Sequence, residues 1–243
     1  MKKGVYKITE NINLTENVYL MRLTGDTSGF SAPGQFVNIA LDGLYLRRPV
    51  SVCDINGDEI TLVYKVVGAG TEKLSRLSSG EALDLLTGLG NGFDTSVSGS
   101  KPLLVGGGVG VPPLYGLAKK LISEGKTVRV ILGFNTSGEI FFENEFKELG
   151  AEVIITTTDG SAGLKGFAAD AIADIDCSYY YCCGPLPMLR SVFDACSVPG
   201  QLSFEERMGC GFGACMGCSK MTKNGSKRLC KDGPILYSEE VIW

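Results

Sequence analysis

The stretch PLLVGGGVGVPP, residues 102–113, decides the fold of the middle of this chain. Residues 102–105 form a short apolar run of the kind found in buried strands. Pro112 and Pro113 suit the first turn of a helix, where a missing N–H costs nothing. Between them lie four glycines, which let the chain turn sharply from strand to helix: Gly106, Gly107, Gly108 and Gly110. The stretch therefore predicts a strand–turn–helix unit.

The same alternation continues through residues 99–198. Apolar runs at 128–132, 152–157 and 179–183 predict further strands, and helical patterns are found at 114–124 and near 144–149. Strands that alternate with helices predict βαβ units, and hence a parallel sheet with helices on both faces. We expect a doubly wound α/β domain over 99–198.

Residues 1–98 have a different pattern. Strand-like runs at 18–23, 35–40 and 59–67 are separated by the turn pairs Pro33-Gly34, Asn56-Gly57 and Ser79-Gly80, and one helical stretch covers 71–77. Several short strands at this spacing predict a small antiparallel β-barrel. The architecture we expect is thus a barrel, an α/β domain and a short segment at 199–243.

Composition excludes several classes of function. The net charge of −4 gives no basic patch for nucleic acid or an anionic membrane. No apolar run approaches the roughly 18 residues of a membrane span, and no signal-peptide core follows the first residues, so we expect a cytoplasmic protein. The chain has no histidine, which rules out Rieske ligation, histidine zinc sites and any Ser–His or Cys–His dyad.

The final segment, 199–243, is rich in glycine and cysteine and too short for a core of its own. We therefore expect a bound metal to hold it together. Four of the nine cysteines follow C-x₄-C-x₂-C…C, the plant-type spacing of a 2Fe-2S cluster: Cys210, Cys215, Cys218 and Cys230. Four-thiolate zinc is the alternative, although zinc sites favour paired C-x₂-C knuckles. We interpret Cys53, Cys177, Cys182 and Cys196 as small hydrophobes in the fold.

Three further stretches are compatible with nucleotide binding. Arg48 and Ser51 in RRPVS could hold a phosphate and a flavin edge, and Gly70-Thr71 at a helix start could donate N–H and O–H groups to a pyrophosphate. The glycine turn is Rossmann-like but not a strict G-x-G-x-x-G, and no acidic residue is obvious at the end of the second strand. Cys183-Gly184-Pro185 follows the last strand, where ligands of open α/β sheets collect. An ordinary turn and a buried thiol are the alternatives.

Together, the order of these motifs resembles the ferredoxin–NADP⁺ reductase superfamily over the first 200 residues. The four-cysteine segment, ending in CKDGPIL at 230–236, narrows the resemblance to electron-transfer subunits of class B dihydroorotate dehydrogenase, over essentially the whole chain. Val50 departs from the wider superfamily, which has a flavin-stacking aromatic there, whereas the narrower family usually has an aliphatic residue.

The resemblance implies three cofactors. FAD would be held by residues of the barrel: Arg48, Pro49, Val50, Ser51, Val63, Tyr64, Lys65, Gly70 and Thr71. The four cysteines would ligate the 2Fe-2S cluster. NAD would lie against the glycine turn (Gly106, Gly107, Gly108, Gly110) and Gly184-Pro185, with Cys183 as a catalytic residue beside the reacting nicotinamide carbon.

The resemblance also implies a partner, an FMN-containing dihydroorotate dehydrogenase catalytic subunit, in a dimer of heterodimers. Electrons would pass from it through the cluster and FAD to NAD⁺ in pyrimidine biosynthesis. A subunit that serves an anaerobic sulfite reductase or an NAD(P)H:ferredoxin oxidoreductase is one alternative. A self-sufficient reductase and a zinc-stapled nucleotide-binding regulator are two others.

Overall fold

The first sheet of the protein is a closed barrel. The computed structural model describes residues 1–243, and six antiparallel strands close in the order β1-β2-β5-β4-β3-β6. The strands are β1 Lys2–Asn13, β2 Val18–Thr24, β3 Phe36–Ile39, β4 Arg48–Asn56, β5 Glu59–Lys65 and β6 Ala82–Leu89, with helix α1 Ala69–Ser75 between β5 and β6. The predicted barrel is confirmed.

Alternation along the strands separates the inside of the barrel from the outside. On β5, Ile60, Leu62 and Tyr64 belong to the barrel core, whereas Val63 packs in the neighbouring core under the helix Pro112–Ser123, α2. This is the two-residue period that a half-buried strand requires. The barrel therefore presents one apolar outer face to the next domain.

The second sheet has seven strands in the order β10-β9-β8-β7-β11-β12-β15. The first six are parallel and β15 is antiparallel. Their bounds are β7 Pro102–Gly107, β8 Arg129–Phe134, β9 Glu152–Thr157, β10 Leu164–Lys165, β11 Tyr179–Cys183, β12 Gly200–Ser203 and β15 Ile235–Tyr237. The helices are α2 Pro112–Ser123, α3 Glu143–Glu148 and α4 Leu186–Ala195.

Helices cover both faces of this sheet. Leu104 and Tyr181 pack with α2 on one face, whereas Leu103 and Tyr180 pack with α4 on the other. Because neighbouring residues of a strand point to opposite faces, a strand buried on both sides is a continuous apolar run. The predicted doubly wound α/β domain is confirmed.

The cysteine-rich end of the chain is joined to this sheet. Strand β12 pairs with β11, and β15 pairs with β12. Between β12 and β15 lie the cysteine loop, residues 210–218, and a hairpin, β13 Ser219–Thr222 and β14 Gly225–Arg228. Leu229, Leu236 and Val241 are buried in the same core as α4. The segment thus shares the core of the α/β domain, and its sheet runs across the division at 198/199 that the sequence suggested.

Helix α2 holds the barrel and the α/β domain together. A Cβ added to Gly116 would lie 2.7 Å from the carbonyl oxygen of Cys53 on β4, so helix and strand are in direct backbone contact. Lys119 Nζ also lies 2.8 Å from Asp54 Oδ2. None of the helices has both the length and the apolarity that crossing a membrane requires.

Candidate functional site

On the barrel, Arg48 and Gly70 meet at the predicted flavin site. Arg48 begins β4, and its guanidinium lies so close to α1 that a Cβ on Gly70 would be 2.2 Å from Nε. The Thr71 hydroxyl oxygen accepts the N–H groups of Val67, at 2.9 Å, and of Gly68, at 3.3 Å. The Arg48 cation therefore lies beside the start of α1, where the Thr71 hydroxyl fixes the preceding turn. A cation beside a helix start is an arrangement that suits a phosphate.

The other predicted flavin residues divide into three groups. Pro49 is exposed, and Ser51 and Lys65 are half-buried. Val50 and Tyr64 are in the barrel core, and the Tyr64 hydroxyl donates to Asn11 Oδ1 at 2.9 Å. These two side chains face away from any ligand on the outer surface. Only the main chain of Val50 and Tyr64 could therefore contact such a ligand. Val63, the remaining one, packs towards α2.

The glycine turn of β7 lies against the end of β11. In the strand register, Gly106 is opposite Cys183, and Gly107 is opposite Gly133 at the end of β8. A Cβ on Gly110 would be 2.2 Å from the carbonyl oxygen of Cys183, and one on Gly107 would be 2.4 Å from Met188 Sδ. The structure therefore unites the two predicted nucleotide stretches, with bare backbone at the carboxyl ends of three adjacent strands.

Cys183 is buried at the end of β11, beside Ser203 of β12. Burial raises the pKa of the Cys183 thiol to about 12; a hydrogen bond with Ser203 opposes this shift and the charge of Glu205 adds to it. The thiol is therefore neutral at physiological pH. Sequence reasoning missed Ser203 and Glu205 because β12, four residues long, was not recognised as a strand.

At the end of β8 lies the one carboxylate of the stretch 133–139, that of Glu139. The backbone N–H and the Nδ2 of Asn135 donate to Glu139 Oε2, at 3.1 and 2.9 Å. A short 3₁₀ helix, Ser137–Glu139, returns this carboxylate to the strand end. An acidic group here is the feature that recognises the ribose of NAD in such folds.

The four predicted ligand thiols, three on the cysteine loop and that of Cys230 after the hairpin, are arranged as two pairs. Cys210 Sγ accepts the N–H groups of Ala214 and Cys215, at 3.2 and 3.4 Å, and the N–H of Cys210 points at Cys215 Sγ at 3.5 Å. The N–H of Cys230 points at Cys218 Sγ at 3.4 Å. No three acidic or thiol side chains are placed to hold one ion. Four thiolates in two pairs match a two-iron cluster, in which each iron takes two protein ligands.

The loop prepares Cys210 for ligation. Although burial acts to raise the pKa of this thiol, hydrogen bonds from the backbone N–H groups of Phe212, Cys215 and Ala214 lower it to about 6. The turn that directs these N–H groups at sulfur has Gly211 and Gly213 at φ +77 and +91, and Met216 at +61. Cys218 and Cys230, by contrast, are buried, at 2% and 1% exposure.

Barrel, nucleotide-type sheet and thiol loop together define an oxidoreductase of the ferredoxin reductase type that transfers electrons. Two family models match. That of the iron-sulfur cluster binding domain of dihydroorotate dehydrogenase B covers residues 205–242, and that of the oxidoreductase NAD-binding domain covers 104–194.

Curated relatives match over nearly the full length. The dihydroorotate dehydrogenase B (NAD(+)) electron transfer subunit of Bacillus pumilus is 42% identical over 99% of this chain and 98% of its own. That of Geobacillus sp. is 43% identical over 100% and 99%. The chain belongs to the family of dihydroorotate dehydrogenase B electron transfer subunits.

Solved structures with the same fold match this chain. The NADH-dependent reduced ferredoxin-NADP oxidoreductase structure superposes with a TM-score of 0.90 at 31% identity, over 99% of this chain and 90% of that one. A ferredoxin NADP⁺ reductase from Neisseria gonorrhoeae, solved with bound FAD and NADP, shares the fold alone, with a TM-score of 0.69 at 16% identity over 80% and 90%.

These matches confirm the predicted family, and the two matched domains bear out the expected iron–sulfur cluster and NAD. The matched cluster domain also removes the zinc-stapled regulator from the alternatives. An electron transfer subunit implies a catalytic partner subunit.

Proposed function

We propose that this chain takes electrons from an FMN-containing dihydroorotate dehydrogenase catalytic subunit and delivers them, through its 2Fe-2S cluster and FAD, to NAD⁺. The observation that carries the proposal is the continuity between the sites: β12 holds Ser203 beside Cys183 and then leads directly into the cysteine loop. A bound flavin supplies the ability to exchange single electrons with an iron–sulfur centre and electron pairs with a nicotinamide.

On the barrel, we assign Arg48 and Thr71 to the phosphates of FAD and Ser51 to the flavin edge. Gly70 admits the guanidinium because it has no Cβ. Pro49 and Lys65 would line the outer face beside it, and Val63, whose side chain is buried under α2, would offer its main chain. Val50 and Tyr64 would contribute main-chain contacts, because their side chains are enclosed in the barrel.

In the α/β domain, we assign two glycine-containing stretches to the pyrophosphate and the nicotinamide of NAD(H). They are the turn of Gly106, Gly107, Gly108 and Gly110, and the pair Gly184 and Pro185. The Glu139 carboxylate would bind the adenosine ribose. Cys183 would contact the nicotinamide as a neutral thiol, since its raised pKa keeps a negative charge away from the ring.

In the last segment, we assign Cys210 and Cys215 to one iron and Cys218 and Cys230 to the other. Cys215 is exposed, and so are Phe212 and Met216, at 44% and 53%. We propose that this surface meets the catalytic subunit and that the complex is a dimer of heterodimers. All nine cysteines are free, which suits the reducing cytoplasm where we place the protein.

The proposal is tested by comparing the isolated chain with its complex. Alone, the loaded chain should reduce dyes with NADH and should not oxidise dihydroorotate. Together with a dihydroorotate dehydrogenase catalytic subunit it should form a stable complex with dihydroorotate:NAD⁺ activity. Turnover of dihydroorotate by the chain alone would contradict the proposal.

The likeness to the reduced ferredoxin-NADP oxidoreductase structure gives a second candidate, a subunit that serves such an oxidoreductase. The native partner distinguishes the two, because the cofactors of this chain would be the same in both. Recovery of a ferredoxin- or sulfite-reducing partner from the source cells, with no dihydroorotate oxidation in the complex, would favour this second candidate.

A further inference from the structure

Asn38, on strand β3, connects the cysteine loop to the barrel. Its side chain is 1% exposed, and Nδ2 donates to the carbonyl oxygen of Cys210 at 3.3 Å. A carbonyl oxygen can only accept, so the orientation of the amide is determined. In the strand register, Asn38 is opposite Pro49, which lies in the flavin-site stretch of β4.

The loop leaves no gap at this contact. A Cβ on Gly211, the residue after Cys210, would lie 2.2 Å from Asn38 Nδ2, and Gly211 has φ +77. Both the approach and the backbone conformation therefore require glycine. The first cysteine of the loop is pressed directly onto the amide of Asn38.

The strand that carries Asn38 is held in place on its other side. Arg47 Nη1 donates to the carbonyl oxygens of Asn38, at 3.2 Å, and of Asp84, at 3.1 Å, and Arg47 Nη2 lies 2.7 Å from Asp84 Oδ1. The Oδ1 of Asn38 is buried without a partner. A buried acceptor that lacks a partner lowers stability, so packing alone would be served better by an apolar side chain.

We infer that Asn38 is a positioning residue for electron transfer between the cluster and the flavin. It sets the distance between Cys210 and β4, the strand that carries the proposed flavin residues. The inference rests on the proposed function. One amide bridges the backbone of a proposed iron ligand and the strand beside Arg48–Ser51, so loss of its N–H donor should let the loop move away. Electron transfer is sensitive to such displacements, whereas hydride transfer between NADH and the flavin does not involve this contact.

The test replaces Asn38 with Leu, which has a similar size and no donor, and with Asp, which keeps the shape and repels the carbonyl. Thr87→Val is the matched control, because Thr87 is a buried barrel residue of β6 whose hydroxyl also lacks a partner. Each full-length, cofactor-loaded chain is assayed for FAD and iron content. Each is then mixed anaerobically with NADH, and flavin reduction is followed by absorbance and cluster reduction by EPR.

We expect flavin reduction to stay within about twofold of the unmodified chain and cluster reduction to slow by about tenfold or more in both Asn38 variants, since small misplacements have large effects on rates. Loss of iron with FAD retained, confined to the Asn38 variants, would support the same role. Cluster reduction at the unmodified rate, or parallel loss of FAD and iron, would overturn the inference. If the unmodified chain itself lacks either cofactor, the proposed function fails instead.

Discussion

Gly110 lies directly against the backbone of Cys183: a Cβ at position 110 would be 2.2 Å from the Cys183 carbonyl oxygen and 2.5 Å from its carbon. Gly110 belongs to the turn that follows β7, and Cys183 is the last residue of the neighbouring parallel strand β11. The proposed nucleotide turn and the proposed catalytic thiol are thus one unit, and neither can move without the other.

Gly110→Ala should therefore impair NADH use through geometry alone. The added methyl must displace either the turn or Cys183, which should cost about 1–3 kcal/mol of stability, as overpacking does, and raise KM for NADH in a dye-reduction assay about tenfold. FAD content should be unchanged, because the barrel is not involved. Gly138→Ala is the control, since its nearest neighbour would be 3.8 Å away. Equal KM values for the two variants would contradict the assignment.

Replacing Cys210 or Cys215 with Ser should prevent normal cluster assembly, because thiolate is the preferred ligand of these irons. These two are the cleanest test, since Cys218 and Cys230 are buried and their replacement also disturbs the core. FAD should be retained. Iron, acid-labile sulfide and flavin assays measure the outcome, with Cys177→Ser as a control outside the loop. Two irons per chain in the Cys210 and Cys215 variants would refute the ligand assignment.

NADH should be preferred to NADPH. The Glu139 carboxylate, held by Asn135 at the end of β8, would repel a 2′-phosphate at the position where NADP-dependent relatives of this fold place a cation. Glu139→Gln should raise kcat/KM for NADPH several-fold and lower that for NADH. Glu148→Gln makes the same charge change on an exposed part of α3 and should alter neither. The preference would be disproved by equal or higher kcat/KM for NADPH in the unmodified chain.

Stability should fall at alkaline pH. Burial raises the pKa of Cys183 to about 12; burial, helped by the charge of Cys177, does the same for Cys196. In the unfolded chain the same thiols ionise near pH 9. The stability that the neutral thiols contribute to the folded protein is therefore complete below pH 9 and is lost as pH rises towards 12. The thermal midpoint of the loaded chain should be flat from pH 7.5 to 9 and then decline. Cys196→Ala should make the decline shallower, and Tyr45→Phe, on a fully exposed ring, should not.

Patterns that repeat locally predicted most of the fold. Strand β9 was predicted at 152–157 and observed as Glu152–Thr157, because a continuous apolar run between a helix and a turn has few other interpretations. Strand β1, Lys2–Asn13, was not delimited: lysine, glutamate and asparagine occupy its exposed face. Strand β15, only three residues long, gains its partners from β12, more than thirty residues earlier.

The candidate site was predictable where chemistry requires a residue type. The spacing of Cys210, Cys215 and Cys218 identified ligands without knowledge of the fold. Asn38 carries no such local signature, since its importance arises from the backbone of Cys210, which the fold brings to it. Glu139 is intermediate: the sequence shows one carboxylate after the second strand, and the structure adds its local contact with Asn135. Tyr64 illustrates the reverse: its place in a motif is clear, and only the structure shows that its ring points into the barrel.

The last prediction concerns the proposed surface for the catalytic subunit. In the sequence, Phe212 and Met216 lie on either side of Cys215, the exposed cysteine of the loop, and they leave 44% and 53% of their surface open, although both are apolar. Phe212→Ser and Met216→Asn should each weaken the complex about tenfold, as loss of an apolar anchor does. Asn is chosen at 216 because it tolerates the φ of +61 found there.

Met221→Ser is the control, since Met221 is 62% exposed on the hairpin β13–β14 and lies outside the loop. NADH-dependent dye reduction by the isolated variants should be unchanged, because flavin and nucleotide sites are on other elements. Titration calorimetry with the catalytic subunit measures the affinities, and iron content verifies that the loop is loaded. If the loop variants bind as tightly as Met221→Ser, the catalytic subunit docks elsewhere, and these two side chains simply shield the cluster.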